Sequence, residues 1–329
     1  MRSDSADRDG VVVPLRPRPQ ATREPRSPAD DAAVYAFAGG EPGRPQSPPA
    51  TDAGWEQRAA DALAFVRTRL TGAYQVDEYG FDRDLTDAVA LPALRALYER
   101  WFRVEVNGLD HVPSAGGALL VANHSGGLAP WDAAMAAVAV RTEHPAHRHL
   151  RLLAGEVAFR APGFGTLARR VGATLACPAD AERLLRSGEL VGTWPEGYRG
   201  IGKRFRDRYQ VQRFGKAGFV ASAAEAGVPI VPVSIVGGEE IHPVLGNARV
   251  LARLLNLPYL PLTPTFPWLG PLGLVPLPIK WYLEFGAPIS ARGCDPHDPV
   301  AVGELADHVR DSIQATLYRL LGQRRSVWR

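Results

Sequence analysis

Short apolar runs alternate with amphipathic stretches along most of this chain. Ala118-Leu119-Leu120-Val121-Ala122 and the stretch from Leu190 to Trp194 are apolar at nearly every position. Runs of that length suit strands buried on both faces. Comparable stretches predict strands near 103–106, 150–154, 173–177, 229–236 and 281–285. Helical spacing predicts helices near 130–140, 163–171, 179–187, 213–226 and 299–321. In the last of these Asp298 suits the N-cap and Pro299 the first turn, while Val302, Leu305, Val309, Ile313 and Leu317 share one face. Strands that alternate with helices imply an α/β fold, a largely parallel (mixed) sheet flanked by helices.

Ahead of this alternation, Trp55, Ala59, Leu63, Val66 and Leu70 recur at helical spacing and predict a helix over 52–70. A second helix is expected over 85–102, with Pro92 marking a break. Residues 1–50 hold nine prolines and seven arginines against seven acidic residues, the composition of a solvated, disordered arm. The expected organisation is thus an arm over 1–50, an N-terminal helical pair over 51–103 and the main α/β domain over 104–329.

A net charge of +3, with no basic stripe interleaved with aromatics, argues against nucleic acid as a partner. Cys177 and Cys294 show neither CxxC nor zinc spacing, which fits a reducing compartment. No apolar run of secretory type opens the chain. Leu254 to Ile279 contains no charged residue but seven prolines, so it cannot cross a bilayer as one helix. It is either a buried connection or a surface that touches lipid. His144, His147 and His149 fall in a polar stretch and read as solvated surface, and no ligand set for a metal is complete.

The chemistry concentrates where two predicted strands end. Asn123-His124 follows the first run and Asp132 comes shortly after it; Trp194-Pro195-Glu196-Gly197-Tyr198-Arg199-Gly200 follows the second. An imidazole with a carboxylate close behind it can activate a hydroxyl by general-base catalysis. Gly126 and Gly127 open the backbone of the intervening loop to conformations closed to other residues. Pro130 at a helix start would put Asp132 in the first turn. Ser125 lacks the Gly-x-Ser-x-Gly elbow of a serine nucleophile. Beyond Arg199 lie Lys203, Arg204, Arg206, Arg208, Arg213 and Lys216 against Asp207 alone, a candidate site for an anionic lipid or for the phosphates of an acyl donor.

These motifs resemble the first and third blocks of the glycerolipid acyltransferase family, of which lysophosphatidic acid acyltransferase is the best-known type. Pro162-Gly163-Phe164-Gly165 to Gly172 is similar to the second block, Val228-Pro229-Ile230-Val231-Pro232-Val233 to the fourth, and Phe285-Gly286-Ala287-Pro288-Ile289 to the closing strand. The resemblance covers roughly residues 100–290 and departs in two places. Seven residues, not four, separate His124 from Asp132, and the stretch Ala173 to Pro178 lacks the arginine that usually ends the second block.

The resemblance implies a 1-acyl-glycerol-3-phosphate acyltransferase-like enzyme. It would move a fatty acyl group from acyl-CoA or acyl carrier protein to a lysophospholipid or other lipid hydroxyl, without cofactor or metal. His124 would be the general base and Asp132 its orienting partner. Asn123, Gly126, Gly127, Glu196, Gly197 and Arg199 would bind substrate, and the N-terminal helices could rest on a membrane. The expected location is cytoplasmic, peripheral on the inner face of the membrane. The alternative is a non-catalytic lipid-binding protein that keeps the fold.

Overall fold

The structure is a computed structural model; it describes residues 55–72, 74–124, 129–160, 164–215, 217–248, 252–253 and 260–328. The arm expected over 1–50 lies outside them. Two units divide the chain, 1–67 and 68–329. Helix α1 (Trp55–Thr71) begins in the first, and its Leu63, Val66 and Leu70 are exposed.

In the second unit helix α2 (83–101) is followed by β1 (Glu105–Asn107), β2 (Ala118–Ala122), α3 (Trp131–Glu143), β3 (Leu150–Ala154), α4 (Glu156–Arg160), α5 (Phe164–Arg170) and β4 (Ala173–Leu175). Then come α6 (Pro178–Arg186), β5 (Leu190–Thr193), α7 (Tyr198–Ile201), α8 (Gly218–Ala226), β6 (Ile230–Val236), β7 (Gly246–Asn247), β8 (Pro261–Leu262), β9 (Tyr282–Phe285) and α9 (Pro299–Gln323). Pro92 does not break α2. The helix widens into a π turn at Thr86–Ala90, just ahead of the proline, which makes room for the ring and absorbs the missing donor.

Seven strands form one sheet in the order β1-β9-β6-β2-β5-β3-β4. From β6 to β4 every pairing is parallel, whereas β9 runs antiparallel to β6 and parallel to β1. The alternation of side chains along β2 divides the core. Ala118, Leu120 and Ala122 face one layer with Tyr98, Phe102 and Met135, from α2 and α3. Leu119 and Val121 face the other with Leu184, Phe219 and Ile313, from α6, α8 and α9. The second N-terminal helix therefore packs on the sheet through Leu91, Leu94, Leu97 and Tyr98. Asp298 caps α9, accepting from the Val300 amide at 2.9 Å.

This topology creates the site. Adjacent strands β2 and β5 send their connections to opposite faces, β2 into α3 and β5 toward α8. Where neighbouring connections diverge, a crevice opens at the carboxyl ends of the strands. Ile313 is fully buried between α9 and the sheet. We expect Ile313→Ala to lower the unfolding free energy by about 2–5 kcal/mol, seen as a lower urea midpoint at unchanged slope; an unshifted midpoint would contradict this packing.

Candidate active site

Asn123 ends β2 by imitating a peptide. Its side-chain amide donates to the Ile235 carbonyl at 3.0 Å, and its Oδ1 accepts from the Ile235 amide at 2.8 Å. The side chain is fully buried and extends the β2–β6 ladder beyond its last pair, Ala122 with Val233. Its role is thus to fix the exit of the strand; its polar atoms have these partners inside the protein.

The next residue is His124. Its Nδ1 lies 2.6 Å from Oδ2 of Asp132, which stands fully buried in the first turn of α3 immediately after Pro130. The carboxylate reaches the imidazole despite the longer spacing. Oδ1 of Asp132 also accepts from the Ala133 amide at 2.8 Å, and the helix N-terminus favours its negative charge. An ionised carboxylate only accepts, so Nδ1 carries the proton and Nε2 keeps its lone pair. Among the described residues nothing hydrogen-bonds Nε2. Gly126, Gly127 and Ser125 lie outside the described residues.

Glu196 enters from the β5 side and is buried. Its Oε1 accepts from the His124 backbone amide at 2.7 Å, and its Oε2 accepts from the Gln212 amide at 2.7 Å and lies 3.2 Å from the Lys203 ammonium. Expected at the substrate, Glu196 instead binds the two loops to each other. Gly197 turns the chain at φ 55, ψ −138, a conformation open essentially to glycine. At Gly200 an added Cβ would stand 2.7 Å from the Cβ atoms of both His124 and Glu196, so only glycine lets the two approach.

The basic run divides on inspection. Lys203 is not a surface cation: it is buried, paired with Glu196 and, at 2.9 Å, with Glu239. Burial disfavours its charge, but the Glu239 and Glu196 carboxylates outweigh this and raise its pKa. Burial pushes the Glu239 carboxyl up to about 7, with Lys203 opposing the rise and Glu196 adding to it. Arg208 lies over the Phe205 ring at 4.3 Å, whereas Arg199 and Arg204 are exposed and have no partner among the described residues. Lys216 lies outside them. The helix expected from 213 begins at Gly218, because the backbone amides before it are held by other partners: Val211 donates to Gln314, Gln212 to Glu196 and Gly215 to the Pro195 carbonyl.

Trp194 opens the second motif, where its motif position assigns it no role. Its ring centroid is 6.4 Å from that of His124, and its buried Nε1 has no hydrogen-bond partner among the described residues. His144, read as solvated, is buried with Nε2 2.9 Å from the Val112 carbonyl. Arg170 is engaged with Tyr74 and Asp82. Among the described residues no group of three or more His, Cys, Asp or Glu could hold a metal.

Residues 103–236 match the family model described as Acyltransferase. An uncharacterised protein of Mycobacterium tuberculosis is 54% identical over 275 residues, covering 83% of this chain and 76% of its own. A human enzyme described as DGAT1/2-independent and synthesizing storage lipids is 28% identical over 66% of this chain and 61% of its own. Among solved structures, the lysophosphatidic acid acyltransferase PlsC of Thermotoga maritima aligns with a TM-score of 0.49 at 19% identity, over 82% of this chain and 90% of that one.

The Glu239 carboxyl, with an ordinary pKa of 4.5, rises to about 7 on folding. The folded state therefore holds this proton more tightly, and the group's contribution to stability is full below 4.5 and is lost as pH rises through 7. Glu239→Gln should remove that part of the decline in urea-unfolding free energy across this window. An unchanged pH profile would contradict the assignment.

Proposed function

The chain belongs to the glycerolipid acyltransferase-like family, and as a member of it we propose that this acyltransferase moves a fatty acyl group from acyl-CoA or acyl carrier protein to a lipid hydroxyl, with His124 as general base. The observation that carries this reading is the 2.6 Å contact between His124 Nδ1 and the buried Asp132 carboxylate, which leaves Nε2 as the available base.

In the proposed reaction Nε2 takes the proton of the acceptor hydroxyl as that oxygen attacks the thioester carbonyl. Asp132 stabilises the imidazolium that forms. Collapse of the tetrahedral intermediate breaks the carbon–sulfur bond, and the imidazolium returns its proton to the departing thiolate. The products are an ester and a free thiol, with no acyl-enzyme between. The oxyanion needs donors; backbone amides of the Gly126–Gly127 loop or the Gly197 turn, and the Trp194 indole, are the candidates.

The acceptor has two forms on this reading. A lysophospholipid such as 1-acyl-glycerol-3-phosphate would set its phosphate on Arg199, whose exposed guanidinium has no partner among the described residues and can meet two oxygens at once. A neutral acylglycerol is favoured by the absence of arginine over 173–178 and by the human relative, described as synthesizing storage lipids. The protein would work peripherally on the cytoplasmic membrane face. Among the described residues no helix is long and apolar enough to cross a membrane. The longer His124–Asp132 spacing would favour a non-catalytic lipid binder only if it kept the pair apart, and the two groups lie 2.6 Å apart.

His124→Ala should cut transfer by roughly 10²–10⁴ with the fold kept, and Asp132→Asn should slow it less. Near-wild-type turnover of His124→Ala, measured as thiol release with purified protein, would sink the mechanism.

Arg199→Ala discriminates the acceptors. With a phosphorylated acceptor, kcat/KM should fall about ten- to a hundredfold, the equivalent of roughly 1.5–3 kcal/mol for a lost charge-assisted hydrogen bond, while a neutral acylglycerol should be spared. Equal losses on both would show Arg199 to be structural.

A further inference from the structure

Trp268 is 77% exposed, Leu269 59%, Leu272 74% and Val275 51%, all within one short loop. Such a concentration of exposed apolar side chains in one loop marks a surface that meets an apolar partner. The loop is ordered. Thr263 exchanges hydrogen bonds with Phe266, its amide donating to the Phe266 carbonyl at 2.9 Å and its Oγ1 accepting from the Phe266 amide at 2.8 Å. The Thr265 hydroxyl donates to the Gly273 carbonyl at 3.1 Å, and the Leu269 amide to the Thr265 carbonyl at 2.8 Å. A loop that ties its own backbone groups together can meet an apolar medium at low cost.

Two more exposed tryptophans are fastened beside it. The Trp101 indole donates to the Pro276 carbonyl at 2.9 Å. The Arg103 guanidinium bridges the carbonyls of Pro278 and Trp328, at 2.8 and 3.1 Å. Tryptophan favours the boundary between water and hydrocarbon. The Phe205 amide donates to the Val244 carbonyl at 2.8 Å, and the Leu245 amide to the Leu262 carbonyl at 2.8 Å, so the exposed Arg204 and Arg206 neighbour the strand pair that leads into the loop. Residues 254–279 contain no charge of their own. An uncharged, tryptophan-bearing loop with arginines at its border complements an anionic bilayer.

We propose that the loop over 264–275 is the surface by which this protein docks on an anionic lipid bilayer, with Trp268, Leu269 and Leu272 entering the interface. The proposal rests on the reading that the acceptor is a lipid and adds the surface that brings it to the site. Contacts link the loop to the site: His242 donates to the Leu274 carbonyl at 2.9 Å, Glu239 pairs with Lys203, and Lys203 pairs with Glu196, which accepts from the His124 amide.

The test is sedimentation with phosphatidylcholine vesicles, with and without phosphatidylglycerol, comparing the full chain with a Trp268→Ser/Leu272→Ser double variant. The wild type should partition onto the phosphatidylglycerol vesicles and be partly released by salt. The variant should partition roughly tenfold less or weaker still. Brominated lipid should quench a component of wild-type emission that Trp268→Phe lacks, a readout that tolerates any modest loss of fold in the double variant. Equal binding by the double variant, or quenching of the same amplitude in Trp268→Phe as in the wild type, would overturn the proposal. So would a variant that loses only self-association in sedimentation velocity, since the face would then join two copies. Transfer to a detergent-dispersed acceptor should be unchanged in the variant; if neither protein transfers, the functional reading fails while the vesicle result stands by itself.

Discussion

The Glu196 carboxylate is the constraint on which the site depends. Two loops leave adjacent strands for opposite faces of the sheet, and nothing in the strand pairing itself holds them together above its edge. Glu196 does so by accepting from the backbone of His124 with one oxygen and from the backbone of Gln212 with the other. A buried carboxylate is costly to leave unpaired, and Lys203 supplies the counter-charge at 3.2 Å. Glycine at 200 then allows the two side chains to close to a distance that a single methyl group would forbid. The His124–Asp132 contact sits on this frame, with Asn123 anchoring the strand below it.

Much of the fold was legible because its strands are buried on both faces. Such strands must be apolar at successive positions, so 118–122, 190–193 and 230–236 stand out without any alignment. Helix α9 was legible through its cap and its single apolar face. The short pieces were not. Helix Glu156–Arg160 and the two-residue strands Gly246–Asn247 and Pro261–Leu262 are too brief to show a period. The π turn before Pro92 also escaped, because proline signals a break and the backbone can widen instead.

At the site, residue types were legible and partnerships were not. His124 and Asp132 follow from motif and spacing, but that a longer connection returns the carboxylate to the imidazole is a property of the loop in three dimensions. The resemblance implied a substrate contact for Glu196; its backbone partners cannot be read from spacing. Lys203 stood in a run of cations and read as surface, yet it is buried by two carboxylates, one of them in a distant segment. Arg199 and Arg204, from the same run, do stay exposed. The apolar, proline-rich stretch was open to two readings because it is mixed: Pro276 and Ile279 are buried, whereas Trp268 and Leu272 are exposed.

The central claim is direct transfer from a thioester to a lipid hydroxyl by a base held in this frame. Its most direct test is a single turnover of acyl-CoA with excess enzyme, following thiol release with and without a lipid hydroxyl acceptor. The account predicts thiol release only when acceptor is present, with one ester formed per thiol. A stoichiometric burst of thiol in the absence of acceptor would contradict it, because the acyl group would then have passed to the protein.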